Sequence, residues 1–286
     1  MSGFLDDMAR SSAARVAEAL RHESLQALER RARQAPAGAR LRLSASGFDV
    51  IAELKLRSPA AGVLGDEKQD WLGRIAAYAR GGAAAVSVLT EPTRFDGSLE
   101  HLRRAAEVLA PLGVPAMRKD FLVDPYQVLE ARAAGAGGVL VILRMLPRAR
   151  IEELLDAAAE QGLFVLLEAF DEADLESARE LCQARAAHRA AGRAREATHE
   201  ELILIGVNSR DLQTLKVRQG RFAGLAPLLP AGLPAVAESG VATAADARQM
   251  RHLGYGVALI GTALMAEKDP SRLLREIFAA TRTVHP

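Results

Sequence analysis

The 286-residue chain holds one cysteine, Cys182, so no internal disulfide can form and stability has to come from a packed core. Charge of one sign is also lacking. The 37 basic and 36 acidic residues leave +1, without the basic excess or stripe that follows a nucleic-acid backbone. Long apolar runs are missing, and stretches such as GGVLVIL are far too short to span a bilayer. The N-terminus, MSGFLDDMARSSAARVAEALRHE, interrupts its apolar residues with Asp6, Asp7, Arg10, Arg15 and Glu18 and has no signal-peptide core. No His or Cys cluster has metal-ligand spacing and no dinucleotide fingerprint occurs, so no metal or cofactor is called for. Aromatics are only 4% of residues, which favours an aliphatic core. These absences lead us to expect a soluble, cytoplasmic protein, with no nucleic-acid or membrane partner.

What is present is a rhythm. Eight short aliphatic runs recur, at 49–54, 84–89, 114–117, 139–143, 164–168, 202–207, 235–238 and 257–260. Most are continuously apolar, as strands buried on both faces of a parallel sheet should be. Between them lie amphipathic patterns at 70–80, 98–109, 125–134, 147–161, 172–188, 220–228, 244–253 and 271–281. Pro125 and Pro147 suit a first helical turn, Ser98 an N-cap, and Gly81, Gly135, Gly162 and Gly254 the left-handed residue past a helix end. Eight strand–helix units in about 240 residues predict an α/β fold, a TIM (β/α)8 barrel. Residues 1–45 precede the first strand and read as extra N-terminal helices, and no linker divides 1–286. The Ala- and Arg-rich segment 183–200 reads as an insertion, a helix extension plus solvated loop, on the barrel face away from the active site.

In such a barrel the chemistry comes from the C-terminal ends of the strands. Here those ends carry Glu53 and Lys55, then Arg57 and Ser58; Thr90 leading to Phe95 and Gly97; Arg118-Lys119-Asp120; Glu168; Asn208-Ser209-Arg210-Asp211; Glu238-Ser239-Gly240; and Gly261-Thr262. A lone lysine or glutamate after a strand is ordinarily a solvated rim residue. Acids, bases and an amide from five strands on one rim are costly to place unless they pair or work. Small residues at Gly240, Gly261 and Thr262 offer backbone N–H groups where barrels commonly bind phosphate. The residues alone thus describe an enzyme for a small phosphorylated anion.

The stretches VIAELKLRSP, SVLTEPTRFDGS, MRKDFLVDPYQVLEARAAGA, LLEAF, IGVNSRDLQT, AVAESGV and ALIGTALM resemble the indole-3-glycerol phosphate synthase family, in order from Val50 to Met265. The resemblance implies a TIM barrel with N-terminal helices and no cofactor or metal. It implies ring closure of 1-(2-carboxyphenylamino)-1-deoxyribulose 5-phosphate, with loss of CO2 and water. Lys119 matches the general acid and Glu168 the general base, while Glu53 and Lys55 match a pair that positions substrate and assists proton transfer. Asn208, Arg210, Glu238 and Ser239 match substrate-orienting residues, with Ser58 beside Arg210 for the anthranilate carboxylate. Phe95 and Phe121 match aromatics against the substrate ring, and Gly240, Gly261 and Thr262 the phosphate cradle. The expected partner is a small phosphorylated aromatic substrate, and the expected assembly a monomer or weak homodimer.

The chain departs from the family pattern at Leu56, Ala61, Arg94, Gly137 and Phe170. These departures motivate an alternative, a paralogue acting on a modified substrate. Two further alternatives are a Schiff-base aldolase and a non-catalytic barrel that uses 183–200 as a contact surface. Deleting 183–200 and measuring turnover addresses the last. The enzyme reading expects turnover to survive, and its loss in a folded variant would implicate the segment.

Overall fold

The structure is a computed structural model that describes residues 3–45, 47–58, 62–63, 70–191, 201–211, 214, 216–218 and 220–282, with backbone alone at Ser58 and Val63. Eight strands are β1 Asp49–Leu54, β2 Ala85–Leu89, β3 Ala116–Lys119, β4 Gly138–Ile142, β5 Phe164–Ala169, β6 Ile203–Asn208, β7 Ala235–Glu238 and β8 Val257–Ile260. Each pairs in parallel with its sequence neighbour and β1 pairs with β8, which closes the barrel. A short antiparallel hairpin, Arg57–Ser58 against Gly62–Val63, follows β1.

Strand side chains alternate between two buried environments. Ile51, Met117, Leu140, Leu166, Leu204, Val236 and Leu259 fill the barrel interior. Their neighbours Val50, Val86, Val139, Val165, Ile205, Ala237 and Ala258 pack outward against the helices. Burial on both faces explains why the strands read as continuous apolar runs.

Besides one-turn helices at Pro92–Phe95 and Thr262–Ala266, the α-helices among the described residues are α1 Phe4–His22, α2 Leu25–Gln34, α3 Trp71–Arg80, α4 Leu99–Leu109, α5 Pro125–Ala133, α6 Arg148–Gln161, α7 Glu172–Ala190, α8 Arg221–Leu225, α9 Ala244–His252 and α10 Pro270–Thr281. Ser98 caps α4 by accepting from the His101 N–H at 3.1 Å. Pro125 opens α5, whereas Pro147 is the N-cap of α6 and not its first helical residue. Gly135, Gly162 and Gly254 take positive φ as expected, but after α3 the left-handed residue is Gly82 (φ 97°), with Gly81 still right-handed.

The third strand corrects the sequence reading. The apolar run 114–117 predicts a strand that ends before the charges, whereas β3 begins at Ala116 and includes Arg118 and Lys119. Pro115 has no N–H to give to a ladder, so regular pairing starts after it.

The N-terminal extension spans both ends of the barrel. Phe4, Leu5 and Met8 of α1 join the interior cluster, and so do Leu41 and Leu43, whose segment reaches the start of β1 through Ser44 N–H to Asp49 at 2.8 Å. Between them α2 packs on α5 through Leu28, Ala32, Tyr126 and Leu129. This path accounts for Gly137: a Cβ there would lie 2.4 Å from the Ala39 carbonyl oxygen and 2.6 Å from Pro115. Gly137→Asp should therefore destabilise the fold by about 1–3 kcal/mol. Denaturant unfolding measures this, and an unchanged midpoint would mean that the extension does not hold this path in solution.

Candidate active site

Alternation sets the site. The last inward positions of β1, β3, β5, β6 and β7 are Glu53, Lys119, Glu168, Asn208 and Glu238, all on the interior side with Ile51, Met117, Leu166, Leu204 and Val236. One layer below they would be buried by apolar neighbours, and one residue later they would turn away. Lys55 Nζ lies 2.8 Å from Glu53, and Lys119 Nζ lies 3.8 Å from both Glu53 and Glu238. Asn208 donates to Glu168 at 2.7 Å and accepts from the Arg210 N–H at 2.9 Å, so one amide orients both the acid and the following turn.

Burial and neighbouring charges compete to set the charge states. For Lys119 burial favours the neutral amine, but neighbouring carboxylates, Glu168 and Glu53 foremost, outweigh it and raise its pKa above that of an ordinary lysine. For Glu53 burial favours the acid form, yet Lys55 and Lys119 hold it below the usual carboxylate range. Glu238 is pushed well above that range, first by burial and then by the neighbouring charge of Glu168.

Above this polar floor opens a cavity of about 470 Å³, a size suited to a small organic ligand. Its walls include Phe95 and Phe121, with ring centres 6.2 Å apart, and Leu140, Ile142 and Phe170. Phe170 is held by Arg144, whose guanidinium sits 4.9 Å from the ring centre and donates to Asp174. Helix α1 adds Phe4 and Leu5, and Phe4 meets Phe121 edge to face at 5.8 Å. The sequence reading missed these two. Their signal was Phe4, Leu5 and Met8, an apolar patch in an otherwise charged helix start.

The expected phosphate cradle lies on the rim of the same cavity. Ser239 (φ 62°) and Gly240 (φ 106°) form a left-handed turn after β7, and the Ser239 carbonyl accepts from the Ser209 hydroxyl. Gly261 precedes the one-turn helix Thr262–Ala266. A Cβ at Gly261 would lie 2.6 Å from Glu53 and 3.1 Å from Lys55 Nζ, so a side chain there would displace the ends of the acid–base pair. Arg210 also lines the cavity. Ala61 and the side chain of Ser58 lie outside the described residues, as does part of 183–200. Arg94 is exposed, and Leu56 is buried. Among the described residues no group of three or more His, Cys, Asp or Glu is placed to hold a metal ion. None of their helices is long and apolar enough to cross a membrane.

Arg118 and Asp120 are not rim charges. Arg118 is 1% exposed and points away from Lys119, donating to the Gln127 carbonyl at 2.7 Å and to Glu130 at 2.9 Å. Asp120 accepts from Arg15 of α1 at 2.7 and 2.9 Å, from Thr90 at 2.8 Å and from the Phe121 N–H at 2.8 Å. It ties the extension to the strand end that carries Lys119. Burial alone would raise the Asp120 pKa, but Arg15 and Arg118 outweigh it and hold the group far below the ordinary range. Asp120→Asn should cost about 3–5 kcal/mol at neutral pH, because it leaves buried cations short of a partner. A depressed pKa stabilises above the unfolded-state value, so the difference between the two proteins should hold down to about pH 4 and shrink in stronger acid. Urea titrations across pH test both statements. A difference that grows in acid would contradict the assignment.

A profile of the family described as indole-3-glycerol phosphate synthase matches residues 5–185 and 194–277. The indole-3-glycerol phosphate synthase of a Parafrankia species is 38% identical over 268 residues, 93% of this chain and 91% of its own. That of a Nocardioides species is 41% identical over 82% of this chain and 81% of its own. Indole-3-glycerol phosphate synthase 1 of Streptomyces coelicolor is 38% identical over 96% and 95%. Among solved structures, 3-hexulose-6-phosphate synthase from Salmonella typhimurium superposes with a TM-score of 0.60 at 14% identity, covering 82% of this chain and 98% of that one, which shows the fold alone.

Proposed function

Because the chain belongs to the indole-3-glycerol phosphate synthase family, decarboxylating lyases of tryptophan biosynthesis, we propose that the residues at this barrel mouth carry out the ring closure. The observation that carries the assignment of roles is Lys119, half-buried and charged beside the buried Glu53, Glu168 and Glu238 beneath an apolar cavity. The substrate's aromatic ring lies among Phe4, Phe95, Phe121 and Phe170. Its phosphate lies on the turns at Gly240, Gly261 and Thr262, and its carboxylate near Arg210 and Ser58.

As the ring carbon attacks the ketone, its oxygen gains negative charge and becomes basic enough to take the Lys119 proton. Loss of CO2 restores the aromatic ring. The hydroxyl then leaves as water while Glu168, oriented by Asn208, removes a proton from the neighbouring carbon. Glu53 holds Lys55 and Lys119 in place through their ammonium groups. The chain is read as one barrel domain over 1–286, with 1–45 its helical extension and 183–200 an insertion.

The test is to incubate the protein with 1-(2-carboxyphenylamino)-1-deoxyribulose 5-phosphate and follow indole fluorescence. Wild type should turn over, and Lys119→Ala and Glu168→Gln should each lose about 10²–10⁴-fold in kcat. Folded wild-type protein that binds the substrate without forming indole would overturn the reading. Faster turnover of ring-substituted substrates than of the plain one would favour the specialised paralogue. The apolar wall at Phe170 is then the first place to look for altered preference.

A further inference from the structure

We propose that Glu238 carries a proton in the resting site and gives it to the hydroxyl that departs in the dehydration step, with Glu168 as its partner base. The inference rests on the ring-closing reading above and assigns a chemical step to a residue otherwise read as orienting substrate.

The three acids at the mouth are not equivalent. Glu53 has the Lys55 ammonium at 2.8 Å, and Glu168 has the Asn208 amide at 2.7 Å. Glu238 is 1% exposed, and among the described residues no N–H or O–H donates a hydrogen bond to either of its oxygens. A buried carboxylate left this way is costly. Its Oε1 reaches over β6, only 2.1 Å from where a Cβ at Gly206 would stand, and Gly206 is the register partner of Glu168 on β5. The carboxyl group therefore extends toward Glu168, and two carboxyls can hydrogen-bond to each other only if one holds a proton. Gly206 is what makes room for that approach.

The surrounding charges agree. Glu238 faces Lys119 from β3 at 3.8 Å, Glu168 from β5, and more distantly Glu53 from β1, which is itself paired with Lys55. β6 presents Gly206 and Asn208, and β8 presents Leu259, none of them charged. A neutral Glu238 gives the mouth an excess of one positive charge over its fully ionised form. That excess suits a ligand bringing both a phosphate and a carboxylate.

The step balances. After CO2 has left, the former ketone carbon bears a hydroxyl, and the adjacent carbon, bonded to nitrogen, bears two hydrogens. The Glu238 proton goes to the hydroxyl oxygen, and the C–O bond breaks with its electron pair leaving on water. Glu168 takes one C–H proton, and that electron pair becomes the new ring double bond. Glu168 is then neutral and Glu238 ionised, and transfer of the proton across their contact restores both. Lys119 recovers its own proton from solvent, which accounts for the one proton consumed when a carboxylate departs as CO2.

The experiment follows CO2 release and indole formation in parallel in single turnovers of the full chain. Wild type should produce both together, and a wild type that forms no indole overturns this proposal and the ring-closing reading alike. Glu238→Gln keeps the shape without a proton to give. It should release CO2 within about tenfold of the wild-type rate while indole formation falls about 10²–10⁴-fold. The fall in the wild-type indole rate at alkaline pH should be absent from its residual rate. Glu238→Asp, which keeps a proton, should recouple the two products. Wild-type indole formation in Glu238→Gln, equal loss of both products in that variant when folded, or an Asp variant as uncoupled as Gln would each overturn the proposal.

Discussion

Everything at this site depends on the alternation of side chains along the strands of a closed barrel. Within a strand, successive residues face opposite ways, so the last inward position of each strand opens on the same mouth. That single constraint gathers Glu53, Lys119, Glu168, Asn208 and Glu238 from five strands separated by up to 185 residues into one polar floor. It also divides the run Arg118-Lys119-Asp120. Lys119 turns into the mouth, and its two neighbours form a buried network with Thr90, Glu130 and Arg15. Adjacent charges that look like one feature of the sequence serve two different ends, one chemical and one structural.

The floor is a set of charges that holds together only as a set. Burial works against each ion separately, favouring neutral Lys119 and neutral Glu53, and the partners reverse both effects. The array also sets demands on residues that do no chemistry. A Cβ at Gly261 would displace the ends of Glu53 and Lys55, and one at Gly206 would displace the Glu238 carboxyl. The N-terminal extension belongs to the same assembly. Arg15 anchors α1 to Asp120 while Phe4 and Leu5 complete the apolar wall, so the element outside the barrel both closes the cavity and braces the strand end next to the acid.

Much of this was legible in the sequence, for a physical reason. Strands buried on both faces have to be apolar throughout, so a charged residue at the end of such a run is conspicuous, and Glu53, Glu168 and Glu238 stood out in that way. What could not be read was the direction of each charge. The run at 114–117 misplaces β3 by two residues because Pro115, though apolar, has no N–H to donate to a ladder, so it only accepts, from Val86 at 2.9 Å. With the strand set too early, Arg118, Lys119 and Asp120 all appear to lie on the rim. The contribution of Phe4 and Leu5 was hidden because it depends on where α1 docks. Gly137 read only as a departure from the family, since its reason is the passage of Ala39 across it. Such close approaches join segments about 100 residues apart and leave no local pattern.

The central claim is that the mouth at rest holds two ionised acids and one neutral one, the proton residing with Glu238. Infrared difference spectroscopy of the ligand-free protein at neutral pH, wild type against Glu238→Gln, reads this without turnover. The account predicts a protonated-carboxyl C=O band in the wild type that is lost in the variant. A difference spectrum showing only the loss of carboxylate bands would mean that Glu238 is ionised at rest and would contradict the account.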